Sequence, residues 1–257
     1  MQHDRALFIV APVIVTVATL AIWELICVAF GIEPFLLPRP SLVGKTLAAS
    51  FGAIMHNAVF TLTTTLIGFA LSIVVGMALG VAIGASVYAY AGLYPLLVAF
   101  NSVPKVALVP ILVIWFGTGA VPAVITAFSA AFLPIAVNVA TGLITVEPEL
   151  RDVLRALGAS KLDVIRKIGI PRSLPFFFAS LKIAIAFAFV GAVVSETVAA
   201  DRGIGFMMIA ASSRFDVPLV FAGLVVVAAM GVVMYAVCAL IERRYIGWAV
   251  RGLETVS

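Results

Sequence analysis

Charged side chains are scarce in this sequence: Asp, Glu, Lys and Arg make up 11% of its 257 residues, against about a quarter in soluble domains. A chain so poor in charge cannot cover a water-facing surface. The deficit is matched by 64% hydrophobic residues and a mean hydropathy of +1.24, so the expected surroundings are lipid. Cysteine is scarce too. Cys27 and Cys238 fall in apolar stretches far apart, lack metal-ligand spacing, and read as small buried hydrophobes. His3 and His56 are isolated, so no metal site is expected. The net charge is only +4, and no basic run carries interleaved aromatics, which argues against a nucleic-acid partner. A phosphate-cradling loop is also missing. Gly44-Lys45-Thr46 has the tail of a Walker A motif, but Arg39 stands where its first glycine is needed. No ATP hydrolysis, cofactor or catalytic residue is therefore expected in this chain.

What the chain has in quantity is long apolar runs. A helix crossing the ~30 Å hydrocarbon layer needs roughly 20 apolar residues. Six segments qualify, at about 6–30, 58–86, 91–116, 121–145, 174–199 and 217–241. The first is too long for a signal-peptide core and has no small-residue cleavage site after it, so an uncleaved span is expected. The third is interrupted by Pro104, Lys105 and Pro110 and is expected to break or kink. Six spans put both termini on one side, and Lys and Arg set which side. With the N-terminus inside, ten basic residues face the cytoplasm: Arg5, Arg151, Arg155, Lys161, Arg166, Lys167, Arg172, Arg243, Arg244 and Arg251. Arg39, Lys45, Arg202 and Arg214 face outward, which leaves Lys105 and Lys182 within or beside spans. The expected architecture is an all-α membrane protein, N-in and C-in, with one domain over 1–257.

Two connections are long. Outside, 31–57 has an extended start at Pro34, Pro38 and Pro40, and then an interfacial helix opening at Ser41, with Leu42, Leu47, Phe51 and Ile54 on its apolar side. Inside, 146–173 holds six of the ten cytoplasmic basic residues. Within EPELRDVLRALGASKLDVIRKIGIPRSLP (147–175), Pro148 suits a first helical turn, and Glu147 and Glu149 suit its positive end. Leu150, Val153, Leu154 and Leu157 recur at helical spacing beside Arg151, Asp152 and Arg155, and Gly158 ends the helix. Ser160 and Asp163 resemble a capping box opening a second helix, expected to stop at Pro171. The apolar stripe needs a cover: headgroups, the protein's own spans, or a groove on a partner.

Gly158 followed after nine residues by Ile168, Ile170 and Pro171 resembles the cytoplasmic signature of ABC importer permeases. This chain has Asp152-Val153-Leu154 where that signature begins Glu-Ala-Ala. SVPKVALVPILVIWFGTG (102–119), SETVAADRGIGFMM (195–208) and LLPRPS (36–41) resemble the nitrate, sulfonate and taurine branch of the same family. The resemblance implies a six-helix permease of the type I ABC importer fold, multi-pass in the cell inner membrane and working as a homodimer. A periplasmic binding protein would deliver a small solute, in this branch an anion such as a sulfonate, taurine or nitrate. A separate ATPase would bind ATP and Mg. It would dock on a coupling helix formed by Glu149, Leu150, Asp152, Val153, Leu154, Leu157, Gly158, Ala159 and Ser160.

Other residues are read without the resemblance. Gly76, Gly80 and Gly84 repeat every fourth position and suit close helix packing in lipid. Asn101, Ser102, Ser129, Asn138, Ser195 and Glu196 are candidates for lining a passage, with helix-to-helix bonding as the alternative. Glu24 suits interfacial anchoring, Lys105 a helix break, and Lys182 a snorkelling position. The Thr61–Thr65 run suggests only back-bonding within its helix. A stand-alone secondary transporter using Glu24 or Glu196 is the rival reading, although no inverted repeat is evident.

Overall fold

In hydrocarbon every backbone N–H and C=O must find a partner within the protein, and a helix supplies those partners internally. The computed structural model describes residues 2–250, and all regular secondary structure among them is helical. In chain order the helices are α1 (Gln2–Ala29), α2 (Pro40–Ala49), α3 (Phe51–Ala85), α4 (Val87–Ser102), α5 (Lys105–Phe116) and α6 (Ala120–Ile144). They continue with α7 (Pro148–Ala156), α8 (Lys161–Val164), α9 (Ile170–Ala199), α10 (Ile204–Ser212) and α11 (Val217–Val250). Five segments are individually long and apolar enough to cross a membrane: Val10–Ala29, Phe51–Ala85, Ala120–Ile144, Leu162–Ala199 and Val217–Ile246.

The third expected span is not one straight helix. α4 and α5 meet at 89° and pass as a span only when taken together. Val103 is extended (φ −71°, ψ 123°), as a residue before proline prefers, and Pro104 has no N–H to continue the ladder. Pro110 lies inside α5 without ending it. The helix expected to stop at Pro171 does not stop there either. A π-helical turn at Ile165–Gly169 joins α8 to α9, with Ile170 N–H donating to the Ile165 carbonyl. The wider turn accommodates the Pro171 ring, which follows it directly at the start of α9.

α6 is sandwiched between α3 and α9. On α3, a Cβ at Gly76 would lie 2.8 Å from the Phe132 carbonyl oxygen, at Gly80 2.7 Å from that of Ala136, and at Gly84 2.7 Å from Leu143 Cβ. The ladder extends one step further than expected: Gly68 meets the Val124 carbonyl oxygen at 2.7 Å, and Ser72 donates to the Phe128 carbonyl at 3.1 Å. On the other side, Gly191 of α9 faces the Thr126 carbonyl oxygen at 2.7 Å. Lipid is as apolar as leucine, so no hydrophobic drive holds these helices together. Close van der Waals approach does.

α1 is almost wholly exposed along Val10–Ala29 and meets the rest mainly through α2 and through Trp23, whose ring lies 5.6 Å from that of Phe221. α2 begins at Pro40 rather than Ser41, and α11 covers it, with Val43 buried beside Ala222 and Val226. Leu47 and Ile54 join that cluster, whereas Phe51 is exposed at the start of α3. Glu24 of α1 accepts from Ser41 N–H at 3.0 Å and Ser41 Oγ at 2.8 Å, holding the first turn of α2. Lys182, expected to snorkel, pairs with Glu242 of α11 at 2.6 Å. Cys27 and Cys238 are both buried and free.

Gly80→Ala is expected to lower stability in detergent by about 1–3 kcal/mol, because overpacking against the Ala136 carbonyl outweighs the gain in helix propensity. Gly92→Ala in α4, where the added Cβ meets nothing within 4 Å, should raise it by roughly 0.5–1 kcal/mol. Thermal unfolding followed by size-exclusion chromatography separates the two. Equal shifts in both variants would contradict the packing described.

Candidate functional site

The break between α4 and α5 opens a cleft of about 540 Å³ against α6 and α9. Its polar lining is Asn101 and Ser102 from the end of α4, Lys105 from the start of α5, and Asn138 from α6. Phe187 and Val194 form part of its apolar wall. Several of the polar groups already have partners. Lys105 Nζ donates to the carbonyls of Phe100 at 3.1 Å and Asn101 at 3.4 Å, and lies 4.9 Å from the Phe100 ring centroid. The ammonium thus caps the negative end of α4 across the break. Ser102 Oγ donates to Val98, and Asn138 Nδ2 to Pro134 at 2.8 Å. Asn138 Oδ1, the Ser102 lone pairs and the Asn101 amide remain for a ligand.

The other three lining candidates lie elsewhere. Ser129, Ser195 and Glu196 are buried between helices, and Ser129 donates to Thr126 at 2.9 Å. Glu196 belongs to a polar node at the start of α10. Its Oε2 accepts from Thr61 Oγ1 at 2.8 Å and from Gly205 N–H at 3.0 Å. Thr61 Oγ1 in turn accepts Ile204 N–H at 2.9 Å, and Asn57 Oδ1 accepts Gly203 N–H at 2.9 Å. Three amides that begin α10 thereby receive acceptors from α3 and α9, and the carboxylate sits at the positive end of the helix. Gly203 has φ +107°, and a Cβ there would collide with the Glu196 carboxyl. Thr61 takes a part in this node that back-bonding within its helix does not suggest, and Asn57 carries no local signal for its own. The available signal was a Glu seven residues before a Gly-x-Gly, which marks a carboxylate close to a tight helix start.

At the far end of α9, the loop after α6 is built as its sequence suggests. Pro148 occupies the first turn of α7, and Glu149 lies in that turn. Gly158 takes φ +84°, and Ala159 N–H reaches back to the Leu154 carbonyl at 3.0 Å. Ser160 N–H donates to Asp163 at 3.1 Å, and Asp163 N–H to Ser160 Oγ at 3.2 Å, a reciprocal box. Arg172 pairs with Glu147 at 2.8 Å and ties the loop's start to α9. α7 otherwise touches little beyond α8. Leu150 and Leu154 are half-buried, whereas Val153 and Leu157 are 57% and 78% exposed. The described residues therefore cover part of the stripe and leave Val153 and Leu157 open. Glu149, Asp152 and Ser160 are exposed beside it, and Ala159 is half-buried.

Comparison with known proteins places these features in a family. The model described as "Binding-protein-dependent transport system inner membrane component" matches residues 72–247. The formylaminopyrimidine transport permease protein ThiX of Halalkalibacterium halodurans is 31% identical, over 92% of this chain and 95% of its own. The riboflavin transport system permease protein RibX of Chloroflexus aurantiacus is 32% identical over 89% and 86%. The taurine transport system permease protein TauC of Escherichia coli is 27% identical over 89% and 86%. Among solved structures, a chain of the MetNI methionine ABC transporter in an inward-facing conformation superposes with a TM-score of 0.67 at 19% identity. That match covers 76% of this chain and 97% of the other.

Glu196→Ala would leave the Gly205 N–H and the Thr61 hydroxyl without their acceptor, at about 1–3 kcal/mol for each group. The expected outcome is faster proteolysis within 200–216 and a lower melting temperature, with Glu196→Gln milder because its amide oxygen still accepts. Unchanged cleavage in Glu196→Ala would show that α10 does not depend on the node.

Proposed function

This chain belongs to the family of binding-protein-dependent transport system inner membrane components, and from that premise we propose how its parts divide the work. It is a multi-pass inner-membrane permease, not itself catalytic, and ATP is bound by a partner ATPase. In this reading the chain is N-in and C-in, and α7 with the turn to Ser160 is the coupling helix, its exposed Val153 and Leu157 seated in the ATPase. The single observation that carries the assignment is that Val153 and Leu157 are left uncovered by the described residues, on a helix closed by the Gly158 turn and tied at its start by Glu147 to Arg172.

The route from loop to cleft is short in mechanical terms. α8, the π turn and α9 form one unbroken helix from Leu162 to Ala199. A displacement of the loop would pass along it to Phe187 and Val194 in the cleft wall, and on to Glu196 at the other end. The cleft of Asn101, Ser102, Lys105 and Asn138 is the passage, closed on its open side by a second copy in a homodimer. A periplasmic binding protein delivers the solute.

Two solute classes differ in what they ask of the cleft. The small anion expected from the sequence, a sulfonate, taurine or nitrate, would rest on Lys105, whose ammonium is already bonded to two carbonyls of α4. A solute that donates N–H groups fits the free oxygens of Asn138 and Ser102 better, and the names of the ThiX and RibX relatives describe nitrogen heterocycles. We favour the second class.

Two outcomes follow. Leu157→Asp would require burial of a charge in the ATPase interface and should abolish co-purification of the ATPase while the chain still inserts; undiminished recovery by mass would refute the docking assignment. Lys105→Gln should change binding-protein-dependent uptake into proteoliposomes by less than about threefold if the solute is a neutral donor. A solute anion paired with Lys105 would lose roughly 10- to 100-fold.

A further inference from the structure

Phe215 is the only residue other than glycine with a positive φ among the described residues, at +58°. It stands where α10 ends. Asp216 N–H donates to the Ala211 carbonyl at 3.0 Å and Phe215 N–H to that of Ser212 at 3.0 Å, which is the closing pattern of a helix whose left-handed residue is usually glycine. A bulky aromatic at such a position is a genuine outlier. Packing does not account for it, because Phe215 is 75% exposed. Nor does a local bond, since the ring has none to make. The strained residue is held by its neighbours: the Glu196 node fixes the start of α10, and Asp216 Oδ1 accepts Leu219 N–H at 3.2 Å at the start of α11. Strain kept at an exposed position, with no internal benefit, points to function.

Where the corner lies says what it meets. α9 leaves the coupling loop at Ile170 and ends at Ala199, 30 residues on, or about 45 Å away. Gly119 N–H bonds the Ala199 carbonyl at 3.2 Å, so the start of α6 shares that end. Phe215 is thus at the end opposite the proposed ATPase dock, where a solute must be handed in. We propose that Phe215, flanked by exposed Arg214 and Asp216, is an anchor for the solute-binding protein; this rests on the transport reading above. An aromatic knob inside a rim of both charge signs has the composition of an interface hot spot. A lipid anchor fits less well. Interfacial anchors are typically Trp or Tyr with a polar tip, and the Phe215 ring has none.

The test uses the complete complex of this chain and its ATPase in nanodiscs, with ATP hydrolysis measured against increasing concentrations of the binding protein that co-purifies with it. Phe215→Gly removes the ring and relieves the backbone, so a purely structural residue would tolerate it. The proposal expects the half-saturating concentration to rise about tenfold or more, with basal and maximal rates unchanged, and Phe215→Tyr to stay near the unmutated value. An unchanged half-saturation in Phe215→Gly would overturn the anchor, and so would a change confined to dimer content or to membrane retention, which would assign the ring to a second copy or to lipid. If the binding protein does not stimulate even the unmutated complex, the transport reading falls, and the anchor with it.

Discussion

Backbone contact between α6 and its two neighbours is the constraint from which the rest of the molecule follows. With glycine or serine at 68, 72, 76, 80 and 84 on α3 and glycine at 191 on α9, α6 lies within van der Waals reach of both helices. Dispersion at that range replaces the hydrophobic drive that lipid cannot supply. The three-helix slab is rigid because its contacts are backbone to side-chain stem, with little rotamer freedom to absorb motion. α1, by contrast, stands almost free along its length, and its polar tie is Glu24 on the first turn of α2.

Rigidity of the slab gives the two ends their meaning. At one end, α7 projects with Val153 and Leu157 uncovered, and Glu147 is tethered to Arg172 at the base of α9. At the other, the Glu196 node clamps α10 against α3. Between them lies the cleft, where the 89° break of α4 and α5 exposes Asn101 and Ser102. Both carboxylates that a proton- or sodium-coupled carrier would need, Glu24 and Glu196, are bonded at the starts of α2 and α10. Neither lines the cleft, which agrees with a permease that takes its energy from a partner.

Local signals were legible in the residues. Apolar length located the spans, proline marked the break at 103–104, and the cap pattern of 147–163 was readable to within a residue because caps depend on near neighbours. Pairings across long separations were not legible. Lys182 finds Glu242, and Thr61 finds Glu196, on helices whose facing sides no periodicity in an all-apolar span reveals. Pro171 misled for a related reason: a π turn of five ordinary residues, Ile165–Gly169, accommodates the ring, and nothing in their identity announces it. The three serine and glutamate candidates that lie outside the cleft share one cause. Polarity in a span signals that a group needs a partner, not which side of the helix supplies it.

The most direct measurement is site-specific photo-crosslinking from position 153 in living cells, with the adducts identified by mass. A dominant adduct with an ATPase subunit is predicted, because the uncovered stripe on α7 is then the surface that receives the driving force. Adducts confined to lipid, or to this chain itself, would contradict the division of labour between a passive permease and a docked motor.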